Sequence, residues 1–95
     1  GDSMPDKIRC AHILVKAEQE AKDVIEELAD GASFAKLAEQ RSTCPSRKHG
    51  GDLGTFGRGA MVKPFEKAAF ALQKGQTTAE PIKTEFGWHV IKRLE

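Results

Sequence analysis

This chain of 95 residues has few cysteines, no long apolar run and almost no excess of charge of one sign. Its two cysteines, Cys10 and Cys44, are too few for a disulfide framework, so the sequence predicts two reduced thiols. No run of about 18 apolar residues occurs, which predicts that no segment spans a membrane. Lysine and arginine number 15 against 14 acidic residues, and this balance gives no electrostatic support for a nucleic-acid partner.

The remaining composition is that of a single small globular domain. Apolar residues make up 39% and charged residues 31%, which is enough for one modest core. Residues 1–3, ahead of Met4, look like the remnant of an expression tag. Residues 1–4 are therefore interpreted as tag and start, and residues 5–95 as the domain. No basic segment followed by an apolar one lies near the start, which predicts no secretion signal and a cytoplasmic location.

Strand signals occur at four places in the chain. A content of β-branched and apolar residues predicts a strand over Ile8–Lys16, and Gly87–Leu94 is predicted to be the last strand. Two shorter segments are also predicted to be strands, the glycine-broken Asp52–Gly59 and Pro81–Lys83. The latter begins at a proline, which edge strands tolerate. The sequence therefore predicts one long strand near each end of the chain and two shorter strands between them.

Helical periodicity fills the intervals between these strands. Apolar residues at helical spacing predict one helix over residues 17–30, with Gly31 just after its end. Ser33 can cap a second helix, and Pro64 can begin a third that ends before Gly75. Residues 41–51 have no periodicity and are predicted to form a loop with at most one helical turn. The order β-α-α-(short helix)-β-α-β-β predicts an α+β fold with a mostly antiparallel sheet.

Two of the predicted strands each carry a histidine in an apolar setting, His12 in RCAHILVK and His89 in GWHVIKRL. Most such histidines are core residues whose ring nitrogens find hydrogen-bond partners. If the two strands are neighbours, alternation can bring both rings over one face of the sheet. One neutral histidine can donate to the free nitrogen of the other, so the pair partly satisfies its own buried polar groups. The pattern therefore indicates a shared site.

Four segments, in order along the chain, carry a resemblance to a known family. They are HILVK at 12–16, FAKLA at 34–38, STCPSRKHGGDLGTFGRGAMVKPFEKAAFAL at 42–72 and TEFGWHVIKRL at 84–94. From Ile8 to Leu94 the chain resembles the parvulin-type peptidyl-prolyl cis/trans isomerases, above all the small single-domain members of prokaryotic type. The resemblance implies an FKBP-like superfold, in which helices flank a four-stranded antiparallel sheet.

The resemblance also implies an activity, the acceleration of rotation about the peptide bond before proline. That bond has a barrier of about 18–20 kcal/mol and relaxes uncatalysed in roughly 10–100 s. A turnover of about 10–1000 per second requires the barrier to fall by roughly 4–7 kcal/mol. An apolar pocket that favours a twisted amide can supply this without covalent chemistry, metal or cofactor. The expected partners are proline-containing peptides and folding protein chains, bound by a monomer.

Site residues follow from the resemblance position by position. Those that match the polar network beneath the substrate amide are expected to be catalytic: His12, Cys44, Thr84 and His89. Those that match the apolar proline pocket and its rim are expected to bind substrate: Leu53, Met61, Val62, Phe65 and Phe86. Without the family, ordinary packing explains Met61 and Phe65 equally well, and Cys44 reads as a passive loop thiol.

The chain departs from the phospho-specific members of the family. Those members carry a basic cluster in a long loop after the first strand, whereas here Lys16 leads almost directly into the predicted helix. Val62 is apolar, and Phe86 is aromatic where phospho-specific relatives have a small polar residue. We therefore expect substrates with an apolar residue before proline, not phosphoserine or phosphothreonine.

Several chemical alternatives use the same residues. A zinc site would combine Cys10, His12, Cys44, His49 and His89, but no CxxC or HxxxH pairing is present. The glycines of GGDLGTFGRG do not have the GxxxxGK[ST] spacing of a phosphate loop. A nucleophilic Cys44, alone or as a cysteine hydrolase with His89, requires a partner that lowers the thiol pKa, which the sequence does not reveal.

The stronger alternative is a chaperone-like module that binds proline peptides with little turnover. The joint presence of His12, Cys44, Thr84 and His89 favours catalysis, because a simple binding cleft does not require all four. If the chain is instead a domain of a larger secreted folding factor, its expected location is outside the cytoplasm.

Overall fold

The computed structural model describes residues 6–95, so the predicted tag remnant at residues 1–4 lies outside the described residues. Four strands form one sheet: β1 (Lys7–Val15), β2 (Asp52–Gly57), β3 (Ile82–Thr84) and β4 (Gly87–Arg93). Three α-helices and one 3₁₀ helix connect them: α1 (Glu18–Ala29), α2 (Phe34–Arg41), the 3₁₀ helix Pro45–His49 and α3 (Lys63–Ala71). No helix within residues 6–95 is long and apolar enough to cross a membrane.

The sheet has the strand order β2-β1-β4-β3, and all neighbouring strands are antiparallel. The predicted α+β class with a four-stranded antiparallel sheet is therefore confirmed. The two central strands are the first and last of the chain, and Cys10 to Val15 pair with Arg93 to Trp88 without interruption. A register shift between Arg9 and Ala11 interrupts the pairing of β1 with β2.

Each face of this sheet carries its own hydrophobic cluster, because successive side chains of a strand point to opposite sides. On one side, which we call the closed face, Ala11, Ile13, Val15 and Val90 pack with residues of α1 and α2. On the other side, the open face, residues of α3 and β2 pack with Ile8, Cys10 and Ile91. The parity of β1 and β4 also assigns His12 and His89 to the open face.

The predicted element boundaries differ from the observed ones mainly where a side chain must turn into the core. The third helix ends at Ala71 and does not continue towards Gly75. Leu72 has an extended backbone with φ −78° and ψ 148°, and its side chain is buried. Helical periodicity predicts that Leu72 continues the buried stripe of α3. In the structure Leu72 is the cap residue, and its side chain is buried on the same side as that stripe.

Two strand boundaries also shift. The second strand stops at Gly57 and not at Gly59, because Gly59 has a φ of +89° and belongs to a turn. The third covers Ile82–Thr84, one residue later than predicted, because Thr84 pairs with Gly87 across the turn that leads into β4. The predicted helical turn within residues 41–51 is the 3₁₀ helix, which begins at Pro45.

Candidate functional site

A cavity of about 460 Å³ opens on the open face of the sheet. The elements around it are β1, the loop after α2, the turn between β2 and α3, the start of α3 and the turn between β3 and β4. Its apolar lining consists of Leu14, Pro45, Ala60, Met61, Val62, Phe65 and Phe86. Its polar lining consists of His12, Thr43, Cys44 and His89. The cavity is therefore an apolar cleft with a small polar region.

The two histidines lie in contact on the central strands. In the register of β1 and β4, His12 is opposite Ile91 and His89 is opposite Leu14, so the two histidines are diagonal neighbours. Their Nδ1 atoms are 2.9 Å apart, and the rings stack with centroids at 5.1 Å. Both side chains are buried, His12 at 5% exposure and His89 at 3%.

Thr84 extends this pair into a chain of hydrogen bonds. Its Oγ1 lies 2.6 Å from Nε2 of His89 and accepts a hydrogen bond from the backbone N–H of Phe86 at 3.1 Å. β3 ends at Thr84, and the tight turn into β4 places the hydroxyl beside the ring five residues later. The hydroxyl therefore couples the ring orientation of His89 to the turn that carries Phe86.

Phe65 joins the polar and apolar parts of the cleft. Its ring meets His12 edge-to-face at a centroid distance of 5.6 Å and His89 at 5.3 Å. It also contacts the ring of Phe56 at 6.1 Å, which anchors it to the core of the open face. The start of α3 therefore holds an aromatic wall against the histidine pair.

Both histidines are neutral at pH 7 in this environment. Burial and, to a smaller extent, the neighbouring His89 together lower the pKa of His12 to about 4. Burial likewise lowers the pKa of His89 to about 4. In a neutral pair, one Nδ1 carries the proton that lies between the rings and the other accepts it. Nε2 of His12 has no hydrogen-bond partner among the described residues, so the chain of hydrogen bonds ends at the ring beneath the cavity.

Cys44 lines the cavity, but it is not hydrogen-bonded to the histidines. Its Sγ accepts a hydrogen bond from Oγ of Ser46 at 3.2 Å. Its backbone N–H donates to Oγ of Ser42, a buried hydroxyl that also accepts from the N–H of Leu14. The structure thus brings three of the four expected catalytic residues into one network and places Cys44 separately on the wall. The other cysteine, Cys10, is buried, and burial raises its pKa to about 11.

Among the five expected substrate-binding residues, Leu53 is the exception. Met61, Val62, Phe65 and Phe86 line the cavity. Leu53 does not: it lies on a separate polar depression beside Arg9 and Asp52, and it packs against the edge of the open-face cluster. The next residue, Gly54, has a φ of +77°, and the register shift lies here, because Leu53 and Gly54 of β2 both lie opposite Cys10 of β1. This local backbone path separates Leu53 from the cleft, in contrast to the expectation.

Four cavity residues were not expected: Leu14, Thr43, Pro45 and Ala60. Leu14 lies on the same face of β1 as His12, so strand alternation alone could have predicted that it lines the cavity. The other three lie next to expected residues in sequence, but nothing in their own pattern marks them. The zinc alternative receives no support, because within the part of the chain that the structure describes no three metal-ligating side chains converge.

Comparison with known proteins identifies the family to which this fold and site belong. Residues 11–95 match the family model described as "Rotamase: PPIC-type PPIASE domain". The solution structure of NmPin, the parvulin of Nitrosopumilus maritimus, is 51% identical with a TM-score of 0.86 and covers 100% of both chains. The structure of CsPin from Cenarcheaum symbiosum is 58% identical with a TM-score of 0.84, covering 99% of this chain and 97% of that one.

A longer bacterial protein is also similar. The foldase protein PrsA of Geobacillus kaustophilus is 50% identical over 92 residues, which are 96% of this chain and 32% of that protein. The chain thus spans about a third of the length of that relative. Together the sheet, the histidine pair and the apolar cleft define a rotamase domain of parvulin type. The chain belongs to the PPIC-type peptidyl-prolyl cis/trans isomerase family.

Proposed function

We propose that this domain catalyses cis/trans rotation about the peptide bond before proline and forms no covalent intermediate. One observation carries the proposal: an apolar cavity of about 460 Å³ lies over a polar floor that is uncharged near neutral pH. The planar amide is stabilised by a charge-separated resonance form, which apolar surroundings solvate poorly. The twisted amide has lost that resonance, so the same surroundings disfavour it less. Binding in the cleft therefore lowers the barrier by differential stabilisation.

The histidine pair holds the floor of the cleft and does not transfer protons to the substrate. Rotation about an amide requires no proton transfer, and burial keeps both imidazoles neutral. We expect His12→Leu to retain appreciable isomerase activity while it lowers the stability of the domain. A complete loss of activity in a folded His12→Leu protein, judged by circular dichroism, would contradict this role.

The substrate is proposed to carry an apolar residue before proline. Two apolar side chains, Val62 and Phe86, line the cavity, and Phe86 is 63% exposed and free to contact a ligand. β1 ends at Val15 and α1 begins at Glu18, so only two residues connect them. A connection of this length leaves no room for a cluster of arginines that would bind a phosphate.

A pair of matched peptides tests both the activity and this preference. Isomerisation of a leucine-proline and a phosphoserine-proline peptide, otherwise identical, is measured by NMR exchange or by a protease-coupled assay. We expect faster turnover of the leucine-proline peptide. Equal rates or a preference for the phosphopeptide would refute the proposed specificity, and no acceleration of either would refute the proposed activity.

A chaperone-like binding module remains the second candidate, favoured by the exposed Phe86 beside an apolar cleft. Refolding of a protein limited by proline isomerisation separates the two candidates. Catalysis accelerates the slow refolding phase at substoichiometric enzyme, whereas binding alone retards it.

We also propose that the domain acts on folding chains as a monomer in the cytoplasm. The two cysteines of the described residues, Cys10 and Cys44, are unpaired, as is usual for proteins of reducing compartments, and side chains of a single chain suffice to form the cleft. Sedimentation at increasing concentration and fractionation of the source cells test these two statements. A concentration-dependent dimer, or recovery of the protein outside the cytoplasm, would refute the corresponding one.

A further inference from the structure

Part of the cavity wall is formed by a short segment with little regular structure. Residues 58–62 connect the end of β2 to the start of α3 and contribute Ala60, Met61 and Val62 to the lining. Within the segment, the N–H of Ala60 makes only a long contact of 3.4 Å with the carbonyl of Gly57. Gly59 has a φ of +89° and no atom within 4 Å of the position where a Cβ would lie. Neither sheet pairing nor helical hydrogen bonds hold the backbone of this segment in place.

One side chain connects the segment to α3. The N–H of Gly59 donates to Oε1 of Glu66 at 2.5 Å. The other carboxylate oxygen, Oε2, lies 3.9 Å from the guanidinium of Arg58, and that guanidinium lies 4.2 Å from the centroid of the Phe70 ring. Hydrogen bonds from an N–H to a carboxylate are roughly twice as strong as those between neutral groups. Glu66 thus binds two consecutive residues of the turn.

The position of Glu66 in α3 favours this contact. It lies in the first turn of the helix, where a carboxylate interacts favourably with the helix dipole, and its side chain is only 22% exposed. Its own N–H donates to the carbonyl of Val62, so backbone and side chain hold both ends of the segment. Phe65, its immediate neighbour, contacts both rings of the histidine pair.

We propose that Glu66 is a positioning residue for substrate binding, which holds Met61 and Val62 against the cleft by fixing the turn before α3. The inference rests on the proposed function, because it assigns these two side chains to the bound proline peptide. Glu66 itself does not line the cavity and is not a catalytic residue. Without its carboxylate the turn gains conformational freedom, and each binding event must then order it again.

The test compares Glu66→Ala with Glu66→Gln. Glu66→Ala is expected to raise KM for a leucine-proline peptide about tenfold, the factor that corresponds to about 1.4 kcal/mol, and to change kcat little. Glu66→Gln keeps a carbonyl oxygen for the N–H of Gly59 and is expected to recover most of that loss. Arg58→Gln removes only the 3.9 Å ion contact and leaves the Gly59 bond intact, so this matched variant should raise KM far less than Glu66→Ala.

A second comparison separates positioning from a general loss of structure. In a Met61→Ala background, Glu66→Ala should raise KM by much less than tenfold, since part of the positioned wall is already absent. Amide exchange of Gly59 should become faster in Glu66→Ala, while the urea midpoint of the folded protein changes little. An unchanged KM in Glu66→Ala, a full tenfold effect in the Met61→Ala background, or a Glu66→Gln variant as weak as Glu66→Ala would overturn the proposal.

Peptide affinity keeps the test independent of turnover. The dissociation constant of the same peptide, measured by NMR titration, should follow KM through the series of variants. If the unmodified domain binds the peptide without isomerising it, the proposed activity fails while the role of Glu66 is still decided by the affinities. If all variants bind equally, the role of Glu66 fails whatever the activity.

Discussion

The two faces of the central strands differ in how completely they are covered. On the closed face, α1 and α2 bury Ala11, Ile13, Val15 and Val90 in one continuous apolar cluster. On the open face, α3 covers the end of the sheet near Ile8 and Cys10, but it leaves the other end, with the histidine pair, beneath a cavity. The same two strands therefore support a closed core on one side and a cleft on the other.

This difference shows how one pair of strands can separate stability from ligand binding. Ala11 and Ile13 flank His12 in sequence, yet they point into the closed core while His12 points towards the cleft. A buried polar pair is costly unless its hydrogen bonds are made, and here the contact between the rings and Thr84 provide partners for three of the four ring nitrogens, all but Nε2 of His12. Substitutions on the two faces should consequently have different consequences.

The largest expected effect is a loss of stability from the closed face. Ile13 is fully buried, so Ile13→Ala is expected to lower the free energy of unfolding by about 2–5 kcal/mol. Isomerase activity per folded molecule should not change. Urea unfolding followed by Trp88 fluorescence measures the first quantity, and activity at low temperature the second. If Ile13→Ala does not fold, Ile13→Val, with an expected cost of about 0.5–1.5 kcal/mol, makes the same comparison. A fall in activity beyond the folded fraction would show that the faces are coupled.

Acid should destabilise the domain through the open face. Well above pH 6.5 both histidines are neutral in the folded and unfolded states, so there they add no pH dependence. As the pH falls, the unfolded chain binds protons near pH 6.5, while the folded pair does not until about pH 4, so the unfolded state gains stability. At pH 5.5 the expected loss is about 1.4 kcal/mol for each histidine, and it levels off below pH 4.

The double variant His12→Leu with His89→Leu provides the control for this acid effect. Its free energy of unfolding should depend less on pH between 6.5 and 4 than that of the unmodified domain. Urea unfolding at several pH values measures the difference, and equal slopes would exclude the pair as the cause.

Removal of the Thr84 hydroxyl should have a smaller effect. Thr84→Val leaves Nε2 of His89 and the N–H of Phe86 without their partner, and we expect a loss of about 1–3 kcal/mol in stability. Isomerase activity should also fall, because the His89 ring loses its fixed orientation. Thr84→Ser keeps the hydroxyl and should restore both. Histidine ¹⁵N chemical shifts report the ring protonation directly, and unchanged shifts in Thr84→Val would contradict the hydrogen-bond assignment.

The smallest expected effect on stability is that of the exposed rim. Phe86 is 63% exposed, so Phe86→Ala should change the free energy of unfolding by less than about 0.5 kcal/mol. The kcat/KM of Phe86→Ala for a leucine-proline peptide should fall about fivefold, because the loss of apolar contact with the peptide costs about 1 kcal/mol. A glycine-proline peptide should be affected less. Equal losses for both peptides would mean that Phe86 does not contact the residue before proline.

The fold was predictable because its signals are local and repeated. Runs of β-branched and apolar residues marked β1 and β4, helical spacing marked the helices, and Ser33 caps α2 through the N–H of Lys36 as expected. The histidine pair was also predictable, since strand parity and one assumption about neighbouring strands were sufficient. The end of α3 was not, because Leu72 is buried whether or not the helix continues.

Parts of the site depend on backbone geometry that the sequence pattern does not encode. The position of Leu53 follows from the positive φ of Gly54 and from the extra residue of β2 at the register shift opposite Cys10, and neither has a local signal. The hydrogen bond from Ser46 to Cys44 follows from the 3₁₀ helix, which the sequence predicted only as a loop with at most one helical turn of unspecified position. The contact of Glu66 could not be predicted from the sequence, because its partner, seven residues earlier, is a backbone N–H that every residue except proline carries.

The pairing of β1 with β4 also has a consequence for how the domain folds. His12 and His89 are separated by 77 positions, so joining their strands closes a loop whose entropy cost is about 4 kcal/mol by a simple chain estimate. Such long-range pairing is slow compared with the folding of helical bundles. During synthesis, β1 must wait for nearly the whole domain before its central partner exists. The Nδ1 contact therefore forms only when both ends of the domain have met, and its presence reports that folding is complete.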